Sequence, residues 1–142
     1  MGIADADSEE HGSGSTNLMV TACKLPQRDG KNVADRTELV RFKEGSRAAK
    51  VFGKAEGREE YLCNYEFNRQ YQEQVDAAGL KITGVDERGV GRVAELPEHP
   101  FFIATLFLPQ MQSNDARPHP YLLAFLDAAS HVRLKSSSAR IG

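Results

Sequence analysis

Two thiols, two imidazoles and a cluster of carboxylates are the groups in this chain with chemistry to offer. Cys23 lies in Thr21-Ala-Cys-Lys24 and Cys63 in Leu62-Cys-Asn64. Neither is flanked by glycine, neither has metal-ligand spacing, and they read as free thiols of a reducing cytosol. His99 and His119 sit beside turn-forming prolines, which fits a structural or surface role better than base catalysis. Asp5, Asp7, Glu9 and Glu10 could in principle hold a hard cation, but their spacing is not that of a calcium loop. They read as solvated loop charge, and neither a metal nor a cofactor is expected.

The elements that must carry these groups follow from pattern. A chain of 142 residues is one domain's worth, with 40% hydrophobic and 27% charged residues, as in an ordinary soluble protein. A net charge of −2 and a pI near 6.1 give no electrostatic reason to expect nucleic acid or an anionic membrane as partner. No apolar run is long enough to span a bilayer, and the acidic N-terminus has no signal-peptide core, so a cytoplasmic location is expected. Residues 1–16, acidic and then rich in Gly and Ser, read as a loop or mobile end. Strands are expected at 17–25, 37–42, 60–65, 80–84 and 92–96. A short helix at 46–52 would stop at Gly53, and a second would run from an Asn68 cap to Ala78, burying Tyr71, Val75 and Ala78. The run Phe101-Phe-Ile-Ala-Thr-Leu-Phe107, between Pro100 and Pro109, reads as a strand buried on both faces. Pro120 suits the first turn of a last helix whose inner face would be Leu122, Phe125, Leu126 and Ala129. The Ser-rich tail, 133–142, is expected to be disordered.

Several ordered blocks resemble the glutamine amidotransferase (class I) domain of CTP synthase. Gly2 to Glu10 is similar to its G-x-x-D-A-N-S-T-E, and Tyr65-Glu66-Phe67-Asn68 to its Y-E-V-N. Ala77-Ala-Gly-Leu80 followed by Gly84 is similar to A-G-L-x-x-x-G. Glu95-Leu-Pro-Glu-His-Pro-Phe-Phe102 is the closest block, and His119-Pro120 matches the start of the last helix. The resemblance implies an α/β, flavodoxin-like sandwich of which the chain holds roughly the C-terminal half, with strands and about three helices over 1–132.

The departures fall on chemistry. The family's F-H-P-E supplies the His and Glu of a Cys-His-Glu triad; here it reads Phe107-Leu108-Pro109-Gln110. The arginine that ends the family's R-H-R-H-R, and holds the α-carboxylate of glutamine, is replaced by Asn64. The nucleophile elbow, G-x-C-x-G, has no counterpart, and its place in the family lies upstream of these blocks. Cys63, Tyr65 and Glu66 would line what was the glutamine pocket, and Gln110 would be left to hydrogen-bond a ligand amide. The resemblance therefore implies a degenerate CTP-synthase-like branch without glutaminase activity, acting as a binding or regulatory module. A homo-oligomer or a synthase would be its partner. The alternative is a piece of a larger enzyme of that family, in pyrimidine nucleotide synthesis or other amide-nitrogen chemistry, whose catalytic Cys lies upstream.

Overall fold

The computed structural model describes residues 2–12, 14–23, 36–61 and 65–138, with backbone only at 36 and 132–138. Eight strands and three α-helices follow one another along them. They are β1 (Asp7–Ser8), β2 (Leu18–Ala22), β3 (Arg36–Phe42), α1 (Arg47–Phe52), β4 (Glu56–Tyr61), β5 (Tyr65–Phe67), α2 (Gln72–Ala77), β6 (Lys81–Val85), β7 (Gly91–Glu95), β8 (Ile103–Thr105) and α3 (Pro120–Ser138). Five of the strands make an antiparallel sheet in the order β4-β3-β6-β7-β8. The other three form a small sheet, β1-β2-β5, in which β1 and β2 run parallel.

Local chemistry explains the helix ends. Ser46 caps α1 by accepting from the Ala49 N–H, and Gly53 closes it in the left-handed conformation at φ 77°. The Asn68 side chain accepts from the Gln70 N–H, but the first turn it starts, Arg69–Tyr71, is 3-10, and α2 proper begins only at Gln72. Of the expected inner stripe on this helix, Val75 is buried, Tyr71 is half-buried and Ala78 is exposed. The core gathers Val40, Phe42, Ala48, Tyr61, Val93, Phe107 and Tyr121 from β3, α1, β4, β7, the segment after β8, and α3. Aromatic rings set its centre: Phe107 stacks on Tyr121 at 6.2 Å and meets Tyr61 edge-on at 6.0 Å.

Two expectations need correction. The run 101–107 is not a strand buried on both faces: among the described residues only Ile103–Thr105 forms a strand, paired with β7 at the sheet's edge, and Ala104 is exposed. An edge strand has one neighbour, and the remainder of the run leaves the ladder to place Phe107 in the core. The expected inner face of α3 is its outer face, with Leu122, Phe125 and Leu126 exposed by 36%, 55% and 63%. The helix is anchored by Tyr121 instead, whose hydroxyl donates to the Ala48 carbonyl. α3 runs on through 133–138, and neither Gly nor Pro interrupts 121–138. The remainder, 139–142, lies outside the described residues. Near the N-terminus β1 pairs with β2, and the Glu9 carboxylate accepts from the Ala22 N–H at 2.6 Å.

Candidate functional site

The positions where the resemblance places the triad's His and Glu lie on one turn. Phe107, fully buried among Tyr61, His119 and Tyr121, fixes its start. The Leu108 N–H donates to the Glu60 carbonyl at 3.0 Å, joining the turn to the end of β4. A 3-10 turn then spans Pro109–Gln112. Leu108 is half-buried and Gln110 exposed. A leucine has no proton to exchange, and a glutamine amide neither titrates nor carries the charge that would orient an imidazolium. The backbone of the turn is thus held firmly while the two side chains on it offer no acid–base chemistry.

Glu66, expected to line a pocket, is buried within a charge cluster. β5 brings it under Arg88, which follows β6, and Arg92, which lies on β7. Arg88 holds both oxygens of Glu66 through its two terminal nitrogens, and the Cys23 thiol donates to Oε2 at 3.2 Å. Asp86 is the hub on the other side. Its Oδ1 accepts from the Arg88 and Val90 N–H groups at 2.9 and 3.0 Å, and its Oδ2 from Arg92 Nη2 at 2.9 Å and Arg88 Nη2 at 3.0 Å. Arg92, with no exposed side-chain surface, also reaches Glu38 and Glu66 at 3.4 Å and lies 5.2 Å over the Tyr61 ring. Burial alone would raise both carboxyls. For Glu66 the hydrogen bonds from Arg88 and Cys23 and the two guanidinium charges outweigh it; for Asp86 the Val90 N–H and the same arginines do. Both are held below the ordinary carboxylate range. Burial pushes the Tyr61 hydroxyl upward. The cluster is an internal clasp between the two sheets, and its carboxylates are committed to arginines.

His119 and Glu59 form a second buried pair, 3.3 Å apart. The imidazole Nδ1 accepts from the Tyr121 N–H at 3.2 Å, which assigns the proton to Nε2, donated to Glu59. Both ring nitrogens are engaged, so the arrangement orients the start of α3 and leaves no nitrogen for a substrate. His99, exposed, turns Nδ1 onto the Phe101 backbone.

Tyr65 is half-buried on β5, opposite Ala22. Cys63 and Asn64 lie outside the described residues. Asp86, Arg88 and Arg92 were missed by reading the sequence. They come from a turn and a strand that bear no chemical motif, and Glu66, the partner the two arginines share, lies 22 residues before Arg88 and 26 before Arg92. The one legible signal was Asp86-Glu-Arg-Gly89, a turn with an acid at the position that caps its own backbone.

No family model matches the chain. It is 33% identical to the CTP synthase of Koribacter versatilis over 147 aligned positions, covering 98% of the chain and 26% of that protein. It is 31% identical to the CTP synthase of Syntrophus aciditrophicus over 138 positions, covering 94% and 26%. Among solved structures, the Trypanosoma brucei CTPS glutaminase domain with bound acivicin superposes with a TM-score of 0.82 at 30% identity. The match covers 92% of the chain and 52% of that structure. The chain is homologous to CTP synthase, and its fold is the mixed α/β fold of the CTPS glutaminase domain, a class I amidotransferase-like fold. It spans about a quarter of the length of the curated relatives it matches.

Proposed function

We propose that this homologue of the CTP synthase glutaminase region has no glutaminase chemistry of its own and acts as a binding or regulatory module. The observation that carries the reading is the turn after β8. Its backbone is anchored by buried Phe107 and the Leu108–Glu60 hydrogen bond, and the sequence resemblance sets Leu108 and Gln110 against the His and Glu of the family's motif. A frame kept with its reactive groups replaced suits recognition more than turnover. The partner it would act on is a synthase of the same kind, or the small metabolite its former pocket accepts. Adding the chain in excess to a CTP synthase and following glutamine-dependent CTP formation tests this. A saturable change in rate supports the module, whereas an unchanged rate together with no glutamine binding by calorimetry contradicts it.

A second reading rests on coverage. Because the chain spans half of the solved glutaminase structure and a quarter of its curated relatives, it is compatible with part of a larger enzyme that supplies a thiol from elsewhere. Reading the gene upstream of Met1 separates the two: an in-frame G-x-C-x-G elbow favours the enzyme, and an in-frame stop without one favours the module.

A further inference from the structure

The loop from β3 into α1 and the strand β6 border a hollow of about 580 Å³, lined by no residue of the turn after β8 or of the arginine–carboxylate clasp. Its size falls within the range of small-molecule sites. Lys81 and Thr83 of β6 both line it. The Lys43 N–H donates to the Thr83 carbonyl at 2.8 Å and fixes the loop against the strand. Gly45, at φ 76°, lets the loop turn back into α1. Thr83 is 5% exposed, and its hydroxyl has no hydrogen-bond partner among the described residues. A buried hydroxyl ordinarily has one, so this orphan at the wall of a hollow marks a place for a ligand atom.

The charges around the hollow say what that ligand is. Lys43, Arg47, Lys50 and Lys81 line it against Glu44 and Glu95. Lys81 is taken by Asp76 at 3.3 Å. The Glu95 carboxylate accepts from the Arg47 N–H at 3.1 Å. The Arg47 guanidinium donates to the His99 and Pro97 carbonyls at 3.0 and 3.2 Å, so its fork is spent on neutral groups and braces the wall. Lys43 and Lys50 are exposed and form no ion pair among the described residues. With the fork occupied, the hollow has no bidentate partner for a planar carboxylate, whereas two ammonium groups and a hydroxyl suit a compact, multiply charged oxyanion. We infer that this hollow binds a phosphate group, free or as the phosphomonoester of a small organic molecule. Lys43 and Lys50 oppose its charge, and the Thr83 hydroxyl donates to one of its oxygens. The inference holds whether or not the chain turns over glutamine.

Amide chemical shifts of the full chain test it, followed during titration with sodium phosphate and, separately, with glycerol phosphate. Sodium chloride at matched ionic strength is the control. The amide signals of 43–47 and 81–83 should move saturably with both phosphates and stay in place with chloride. Lys43→Ala, Lys50→Ala and Thr83→Val should each weaken binding by at least about fivefold, the loss of one charge-assisted or hydroxyl contact. Tighter binding of glycerol phosphate identifies a phosphomonoester as the ligand, and equal binding identifies the free anion; both support the site. Shifts that do not saturate, shifts that chloride reproduces, or an affinity that the variants leave unchanged overturn the proposal. Lys43 and Lys50 are exposed, so their variants keep the fold and decide the matter where Thr83→Val does not fold.

Discussion

At the scale of single residues, the account turns on what Leu108 and Gln110 cannot do and on what Arg92 must do. Restoring Leu108→His with Gln110→Glu should yield no glutaminase, because the resemblance sets Asn64 against the family's carboxylate-binding arginine and neither thiol lies in a G-x-C-x-G elbow. It should also cost about 1 kcal/mol, the low end for placing a polar ring without a partner at a half-buried position. Turnover by the double variant, read as glutamate formed from glutamine, would refute this. Arg92→Met should be far more damaging. It removes the guanidinium that Asp86, Glu38 and Glu66 share, leaving Arg88 to hold Asp86 and Glu66, and breaking a buried pair of this kind costs about 3–5 kcal/mol, measurable by denaturant titration. A loss under about 1 kcal/mol would mean that water, not Arg92, satisfies those acids. The two cases differ in how the sequence exposes them. Leu108 and Gln110 are visible because a motif frames them. Arg92 is invisible because its partners, Glu38 and Glu66, sit on other strands and nothing local marks the meeting.

At the scale of elements, those defined by local chemistry were legible and those defined by neighbours were not. α1 could be read almost to the residue, since Ser46 and Gly53 fix both ends whatever surrounds them. β8 and α3 were over-read in the same direction, both as more buried than they are. Apolar content marks a segment that wants burial, and does not say whether the covering surface is present. Thus the 101–107 run was expected inside the sheet but lies at its edge, and Leu122, Phe125 and Leu126 were expected inside but face out. One element-level contact is strict. A methyl group on Gly57 of β4 would come within 2.2 Å of the Phe52 ring at the end of α1. That ring is held against Phe42 and Tyr121 at 4.6 and 5.9 Å and has little room to move. Gly57→Ala should therefore destabilise by about 1–3 kcal/mol, the usual cost of overpacking. A thermal midpoint equal to the parent's would show that the α1–β4 contact is looser than the geometry describes.

At the scale of the whole molecule, the clasp of Glu66, Asp86, Arg88 and Arg92 joins the small sheet to the large one and makes cohesion depend on pH. Glu66 and Asp86 have folded values below their ordinary 4.5 and 3.8. A carboxyl depressed by folding binds its proton more readily when unfolded, so its contribution is complete above the ordinary value and is shed as pH falls through the depressed one. Stability should be flat from neutrality to about pH 5 and decline below about pH 4.5, and Asp86→Asn should lower the neutral plateau while flattening that decline. Denaturant midpoints by far-UV circular dichroism across this range check the sign, and a protein that gains stability on acidification would contradict it. No helix among the described residues is long and apolar enough to cross a membrane. What remains distinctive of the molecule is a glutaminase-type fold for which we propose no glutaminase chemistry. The most direct measurement is ammonia release from glutamine by the purified chain, followed alongside its Cys63→Ser variant. The account predicts that both match the buffer blank. Release above the blank by the parent chain, abolished in the Cys63→Ser variant, would contradict it and identify a nucleophile in this chain.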